Sequence, residues 1–175
     1  AGPIQGQLGT HLVTGYVHKP YARVYAMLAR HAGFDSALIV RGTEGGIIPS
    51  LRQKALMYYY HDQGEEHSFE VLPQDLGIEQ PLRANPIPNE LSELSSRTDS
   101  DPTSTDHLEN AAKLAADAGI QVLNGKKNST RDAIIYGAAL ILWQQKRYPD
   151  VQSASQAVTK TIDSGLAKAH FEKAQ

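Results

Sequence analysis

The residue types best suited to chemistry lie in one short loop that follows an apolar run. Its members are Arg41, Gly42, Thr43, Glu44, Gly45 and Gly46. Glycine permits positive φ angles and lets a ligand approach backbone N–H groups, while an arginine can pair with a phosphate or carboxylate. The motif is neither a Walker loop nor a GxGxxG fingerprint. Two interpretations stay open: a loop that binds an anion or another ligand, or a Gly-rich turn between two elements.

A second candidate is the polar segment "NGKKNSTRD", which carries Lys126, Lys127 and Arg131 just before a predicted helix. The free N–H groups and the dipole at a helix N-terminus favour anions, so these cations predict contact with an anion or a nucleic acid. The alternative is a solvated loop between helices, in which Asp132 complements the dipole. Both interpretations remain open.

Other chemistry has weaker support in the sequence. The seven histidines show no HExxH spacing, no serine lies in a GxSxG motif, and there is no cysteine. We therefore predict no metal centre, and no cofactor is evident. His61 and His67 flank a polar turn and are expected to be exposed. The run Tyr58-Tyr59-Tyr60 offers a surface on which bases could stack, although aromatic residues in strands more often serve packing.

The elements that would position the first loop form a strand–helix–strand unit. Residues 10–17 are β-branched and aromatic, a helix follows Pro20 and ends at Gly33, and Ala37–Val40 is a short apolar strand. Such a βαβ unit favours a parallel sheet with a right-handed crossover. We expect the Gly-rich loop at the carboxyl end of a central parallel strand, where open α/β sheets bind ligands.

The remaining chain predicts a hairpin and then helices. "KALMYYYH" and "HSFEVL" form two strands around a polar turn, and a Pro-rich and Ser/Thr/Asp-rich stretch follows. Three helices come after it, the third broken near Gly165. The middle helix is expected to begin at a Ser129 or Thr130 cap. Its buried face is predicted to consist of Ile134, Ala138, Ile141 and Leu142.

Length, composition and charge limit the classes of protein to which this chain can belong. The 175 residues suit one domain, and the chain is 41% hydrophobic and 21% charged, which is enough to bury a core. The net charge of −2 is not that of a strongly basic nucleic-acid binder, and no apolar run reaches the ~20 residues of a membrane span. We predict a single α/β domain over 1–175 with a mainly parallel sheet flanked by helices and a helical C-terminal segment. Its parts are strands and hairpin in 1–80, a loop in 81–105 and helices in 106–175.

Four segments match a known family in order and spacing. They are "HLVTGYVHKPYARVYAMLARHAGFDSALIVRGTEGG", "FEVLPQDLGI", "ENAAKLAADAGIQVLNGKKNSTRDAIIYGAALILW" and "TIDSGLA". Together they resemble the C-terminal part of the α/β domain in the anthranilate phosphoribosyltransferase and nucleoside phosphorylase superfamily. The resemblance covers nearly the whole chain. A start without methionine, directly followed by strand-like sequence, favours a portion of a longer protein.

One departure from that family bears on chemistry. The family's "HGxGlDEis" segment carries an Asp-Glu pair that binds magnesium, and that pair falls on Gly46 and Ile47 here. Neither side chain can coordinate a hard cation, which needs oxygen ligands. "RGTEGG" resembles instead the TrpD-like (YbiB-like) bacterial paralogues. That resemblance implies a cytoplasmic homodimer, a transferase activity that is in question, and binding of single-stranded DNA or RNA through a basic groove.

The family's "GTGGD" diphosphate loop, its "KHGNR" segment and its helical dimerisation domain would all lie upstream of this sequence. Magnesium is therefore expected only if upstream residues supply its ligands. We predict a phosphoribosyltransferase-fold portion of the glycosyltransferase class without anthranilate phosphoribosyltransferase activity. The alternatives are a non-enzymatic nucleic-acid-binding paralogue and an active transferase completed by another chain or upstream segment. A nucleoside phosphorylase relative has no distinct residue evidence.

Overall fold

The computed structural model describes residues 9–84 and 105–174. This part of the chain has an α/β architecture in which helices pack against a four-stranded sheet. The strands are β1 (His11–Gly15), β2 (Ser36–Val40), β3 (Ala55–Tyr60) and β4 (His67–Val71). The helices are α1 (Lys19–His31), α2 (Thr105–Leu123), α3 (Ser129–Gln144), α4 (Val151–Asp163) and α5 (Leu166–Lys173). The expected loop at 81–105 lies mostly outside the described residues.

The sheet is mixed rather than purely parallel. Its strand order is β1-β2-β3-β4, with β1 and β2 parallel and the other two neighbouring pairs antiparallel. The predicted α/β class is confirmed, and so are the βαβ unit and the hairpin. Parallel pairing does not extend past β2 because residues 41–54 contain one short 3-10 turn at Thr43–Gly45 and no crossover helix. A parallel neighbour needs a longer crossover connection, whereas a short connection returns the chain antiparallel.

Helix α1 packs on the sheet through small residues. Its buried positions Ala22, Ala26 and Ala29 recur at helical spacing and belong to one core cluster with Ala37 and Ile39 of β2. Small side chains let a helix approach a strand closely. The outer face carries large apolar side chains that stay exposed, among them Val24, Met27 and Leu28.

Helix α3 contributes to a second core cluster, but its buried face differs from the predicted one. Ala133, Tyr136 and Leu140 pack with core residues of β2 and β3, whereas Ile134 and Ile141 are exposed. Since the helix is apolar nearly all round, its composition could not identify which side meets the sheet. The prediction of a buried Ile134 and Ile141 is therefore wrong; Ala138 and Leu142 are partly buried against α4.

The start of α3 also differs from the prediction. Its N-cap is Asn128, whose side-chain oxygen accepts a hydrogen bond from the Arg131 N–H at 3.0 Å. Ser129 and Thr130 are already helical, so neither is the cap. All three residue types are good N-caps, and composition alone could not rank them. The predicted break of the C-terminal helix at Gly165 is confirmed, since this residue has φ of 77° between α4 and α5.

Candidate functional site

The Gly-rich loop lies where the sequence predicted it. It follows β2, an interior strand with a parallel neighbour on one side, and leaves from the carboxyl end of that strand. The loop folds back on itself, because the N–H of Thr43 donates to the Ile48 carbonyl at 2.9 Å and the N–H of Gly46 donates to the Thr43 carbonyl at 3.0 Å. Both N–H groups are thereby used inside the loop. The loop therefore offers an anion fewer free backbone N–H donors than its sequence suggested.

Packing explains the glycines of this loop. A Cβ atom at Gly42 would overlap the carbonyl of Gly46, and one at Gly15 in β1 would overlap the carbonyl of Gly45. Gly45 itself has φ of 81°, in the left-handed region that favours glycine. The turn interpretation therefore accounts for Gly42 and Gly45 without any ligand.

The polar side chains of the loop keep some capacity for binding. Arg41 is exposed. The hydroxyl oxygen of Thr43 is buried and has no hydrogen-bond partner among the described residues, so it can donate to or accept from a bound group. Nearby, burial and the neighbouring Tyr58 raise the pKa of Tyr16, while Arg41 opposes the rise. Tyr16 donates to the Leu56 carbonyl at 3.0 Å and so stays a neutral, structural phenol.

Gly46 and Ile47 form the end of this loop. Gly46 has φ of −73°, a backbone conformation open to any residue, and Ile47 is 43% exposed. Side chains at these two positions would therefore face solvent at the carboxyl end of β2. The family that the sequence resembles carries magnesium-binding carboxylates at these two positions. Gly46 and Ile47 offer no side-chain oxygen. A divalent cation does not fit these two residues.

The residues of the second candidate set differ in exposure and in their partners. Lys126 and Lys127 are exposed after α2, and the Lys126 ammonium donates to the Gln121 side chain at 2.6 Å. Arg131 instead forms an ion pair with Asp163 of α4 at 2.6 Å, and only 11% of its side chain is exposed. Arg131 therefore ties α3 to α4, and its prediction as a freely accessible partner of the lysines gains no geometric support.

Sequence reasoning missed the cavity beside Arg131. This cavity has a volume of about 680 Å³ and lies between α3, α4 and the short turn that follows β4. Charged groups of both signs line it, with Arg131 and Lys160 on the positive side and Asp132 and Asp163 on the negative side. Asp132 also accepts a hydrogen bond from the Gln80 side chain at 2.6 Å. The one signal in the sequence was the predicted helix break near Gly165, because Ser164, at the end of α4, lines the cavity.

A cluster of aromatic side chains at the other end of the sheet was only partly foreseen. Tyr60 is buried, as strand packing predicts, but Tyr59 lies half-buried against Trp143 of α3. His67 is exposed as expected, whereas His61 is half-buried. Burial and the neighbouring Lys146 lower the pKa of His61, and Asp62 partly opposes them. The sequence offered no way to join Trp143, more than eighty positions downstream of Tyr59, to this hairpin.

The described chain is thus an α/β fold with a Gly-rich loop at the carboxyl end of an interior strand. Comparison with known proteins names the particular relatives. The chain is 23% identical to the anthranilate phosphoribosyltransferase of Methanobrevibacter smithii over 98% of its own length. It is 26% identical to that of Aquifex aeolicus, again over 98% of its length. These matches cover 45% and 44% of the two relatives, so the chain spans less than half of each.

Solved structures agree on the fold. An anthranilate phosphoribosyltransferase from Saccharomyces cerevisiae, in complex with PRPP and Mg, matches with a TM-score of 0.62 at 21% identity. A variant of the yeast protein with Mg bound matches with a TM-score of 0.63 at 22% identity, covering 93% of this chain and 41% of that one. No family model matches the sequence. The resemblance to anthranilate phosphoribosyltransferase over most of the chain is confirmed.

Proposed function

We propose that this chain is the C-terminal α/β portion of a phosphoribosyltransferase-fold protein that does not catalyse anthranilate phosphoribosyl transfer. The observation that carries this proposal is the pair Gly46 and Ile47 at the loop end, where the resemblance expects two carboxylates. The ancestral reaction is attack of an amine nitrogen on the anomeric carbon while pyrophosphate leaves. An enzyme promotes it by positioning the reactants and by neutralising the charge of the leaving group. The Gly-rich loop contributes no carboxylate at the positions that would hold the neutralising cation.

A steady-state assay of the intact protein tests this proposal, with anthranilate, phosphoribosyl pyrophosphate and magnesium as substrates and cation. We expect turnover far below ~1 per second, the low end of typical enzymes. Turnover above that rate would overturn the proposal. Magnesium titration by calorimetry is the second measurement, and we expect no heat that depends on residues 46 and 47.

A second test restores the two missing carboxylates by substitution. The double variant Gly46→Asp, Ile47→Glu restores both carboxylates, and the backbone tolerates it because Gly46 has φ of −73° and Ile47 is exposed. A Cβ at position 46 would meet the Thr43 carbonyl at 3.2 Å, which needs only a small shift. We expect this variant to gain a magnesium signal that Gly46→Asn, Ile47→Gln lacks, since a neutral amide lacks the carboxylate charge.

Nucleic-acid binding is a second candidate, favoured by the exposed Lys126 and Lys127 near the N-terminus of α3. Two features reduce its support: Arg131 is paired with Asp163, and the net charge is −2. The third candidate is an active transferase completed by another chain or by an upstream segment. It requires a "GTGGD" loop and a "KHGNR" segment in the rest of the protein, so the full sequence decides it.

A homodimer in the cytoplasm is part of the same proposal. No helix in the described ranges 9–84 and 105–174 is long and apolar enough to cross a membrane. The relatives are more than twice as long as this chain, and the proposed dimer would form through a helical domain in that additional length. Light scattering on the intact protein measures this state directly, and a monomer would contradict the dimer.

A further inference from the structure

A cavity of about 600 Å³ opens at the end of the sheet opposite the Gly-rich loop. β3 ends there, because Tyr60 pairs with Ala37 at the start of β2, and His61 follows directly. The lining residues are Tyr59, His61, His67, Trp143, Lys146, Arg147, Tyr148 and Pro149. Its volume falls within the range of ~300–1,000 Å³ that is usual for small-molecule sites.

Aromatic rings form one wall of this cavity. The Tyr59 ring lies 5.0 Å from Trp143 and 5.4 Å from His61, measured between ring centroids. Phe69 supports the wall from behind, with its ring 4.3 Å from Trp143 and 5.5 Å from Tyr59. Rings held at these distances by several neighbours are pre-organised. A planar aromatic ligand can therefore stack against them at little cost in side-chain ordering.

Cations form the other wall. Lys146, a left-handed residue with φ of 56°, follows the end of α3, and the Arg147 N–H donates to the Leu142 carbonyl at 3.0 Å. This turn brings Arg147 to the cavity lined by the rings. Lys146 contacts Asp62 at 3.3 Å, a pair in which both side chains are mostly exposed. Arg147 has no ion-pair partner among the described residues, and none of the described lining residues is a carboxylate.

We propose that this cavity binds a small planar aromatic molecule that carries an anionic group. The ligand ring would stack on one of Trp143 and Tyr59 and meet the other edge-on, since the planes of these two rings are inclined by 72°. The anion would pair with the Arg147 guanidinium, with Lys146 adding positive potential. Arginine suits this role because its planar fork can bind a carboxylate or phosphate through two parallel hydrogen bonds. A nucleoside monophosphate and an aryl carboxylate both have the required chemistry. The site is separate from the loop at residues 41–46 and does not rest on the proposed function.

Trp143 is the one tryptophan of the chain, so its fluorescence reports this cavity directly. The 175-residue chain is titrated with adenosine 5′-monophosphate in one arm and benzoate in another. Adenosine and benzamide are the neutral counterparts, and inorganic phosphate and acetate are the anions without a ring. We expect saturable quenching in at least one of the first two arms, and about tenfold weaker binding of its neutral counterpart, since one charge-assisted pair is removed. The arm that responds identifies whether the anion is a phosphate or a carboxylate.

Variants test the assigned contacts without touching the packed rings. Arg147→Gln should weaken binding by about tenfold or more, because it removes the charge-assisted hydrogen bonds to the anion. Arg147→Lys keeps the charge and should recover part of the loss. Arg52→Gln removes the same charge from an exposed position before β3, outside the cavity, and should leave binding unchanged.

Three results would overturn the proposal. The first is the absence of saturable quenching by both aromatic anions. The second is equal weakening by Arg147→Gln and Arg52→Gln, which would show an effect of net charge alone. The third is quenching by a single-stranded oligonucleotide when neither small molecule binds, which would make the cavity part of a nucleic-acid surface.

Discussion

Replacing Gly42 by alanine isolates the packing role of the Gly-rich loop. Gly42 has φ of −78° and ψ of 164°, an extended conformation that alanine also adopts, so the backbone angle gives no penalty. The added Cβ, however, would overlap the carbonyl group of Gly46. That neighbour is backbone held by a hydrogen bond to Thr43, so it cannot rotate away as a flexible side chain would.

The expected cost of Gly42→Ala follows from this overlap. Overpacking by one methyl group costs ~1–3 kcal/mol, and sometimes more when backbone must move. For a chain of this size, each kcal/mol lowers the melting temperature by about 2–4 °C. The matched control is Gly119→Ala, in the interior of α2, where a Cβ meets nothing within 4 Å. Alanine there should stabilise the helix by ~0.5–1 kcal/mol.

Urea unfolding followed by circular dichroism and by Trp143 fluorescence measures both variants. The two probes must agree for a two-state treatment to hold. Opposite signs for Gly42→Ala and Gly119→Ala are the expected result. A change of less than ~0.5 kcal/mol for Gly42→Ala, within the usual range of a surface substitution, would refute the steric argument. The glycine would then need another explanation, of which a bound ligand is the foremost.

Asn128→Ala should destabilise the protein by ~1 kcal/mol, because it removes the N-cap of α3, while Ser129→Ala should be nearly neutral; equal losses would refute the assigned cap. The pKa of His61 is lowered on folding, so the unfolded chain binds more protons between that lowered pKa and ~6.5. Its contribution to stability therefore rises with pH across that window, and His61→Gln should flatten the profile measured by urea unfolding. The Lys126→Ala, Lys127→Ala variant should weaken single-stranded DNA binding and lower the salt slope by about one unit for each phosphate that a lysine no longer neutralises. An unchanged slope would leave this loop as a solvated connection between helices.

Local patterns in the sequence were sufficient for the βαβ unit, the hairpin and the position of the Gly-rich loop. Each depends on neighbours in the chain: alternation, helical spacing and a glycine after an apolar run. The antiparallel direction of β3 was not predictable from the apolar run alone. It depends on whether residues 41–54 form a crossover helix, and they do not. The ion pair of Arg131 with Asp163 and the approach of Trp143 to Tyr59 join distant segments, and no local pattern encodes such contacts.

The buried polar network between β2 and α3 illustrates the same limit. Gln144 is fully buried, and its side chain donates to the Ser36 hydroxyl at 2.7 Å. Ser36 also contacts the His11 ring at 2.6 Å, which links β1, β2 and the end of α3. In the sequence, Gln144 belongs to a polar run that suggests a solvated helix end. Its burial follows from a partner 108 positions away in the chain.

The outer edge of β1 has a consequence for how this chain behaves at high concentration. Among the described residues no strand pairs with that edge, and the exposed side chains of Tyr25 and Leu28 in α1 line a shallow apolar cavity together with Thr14 of β1. Proteins usually protect such edges with lysines, prolines or bulges, yet the sequence of β1, "HLVTG", contains no lysine or proline. If no other segment of the protein pairs with this edge, self-association should grow steeply with protein concentration. A lysine introduced at Thr14, which is only half-buried, would reveal how much of that association the bare strand causes, through the concentration at which light scattering first rises.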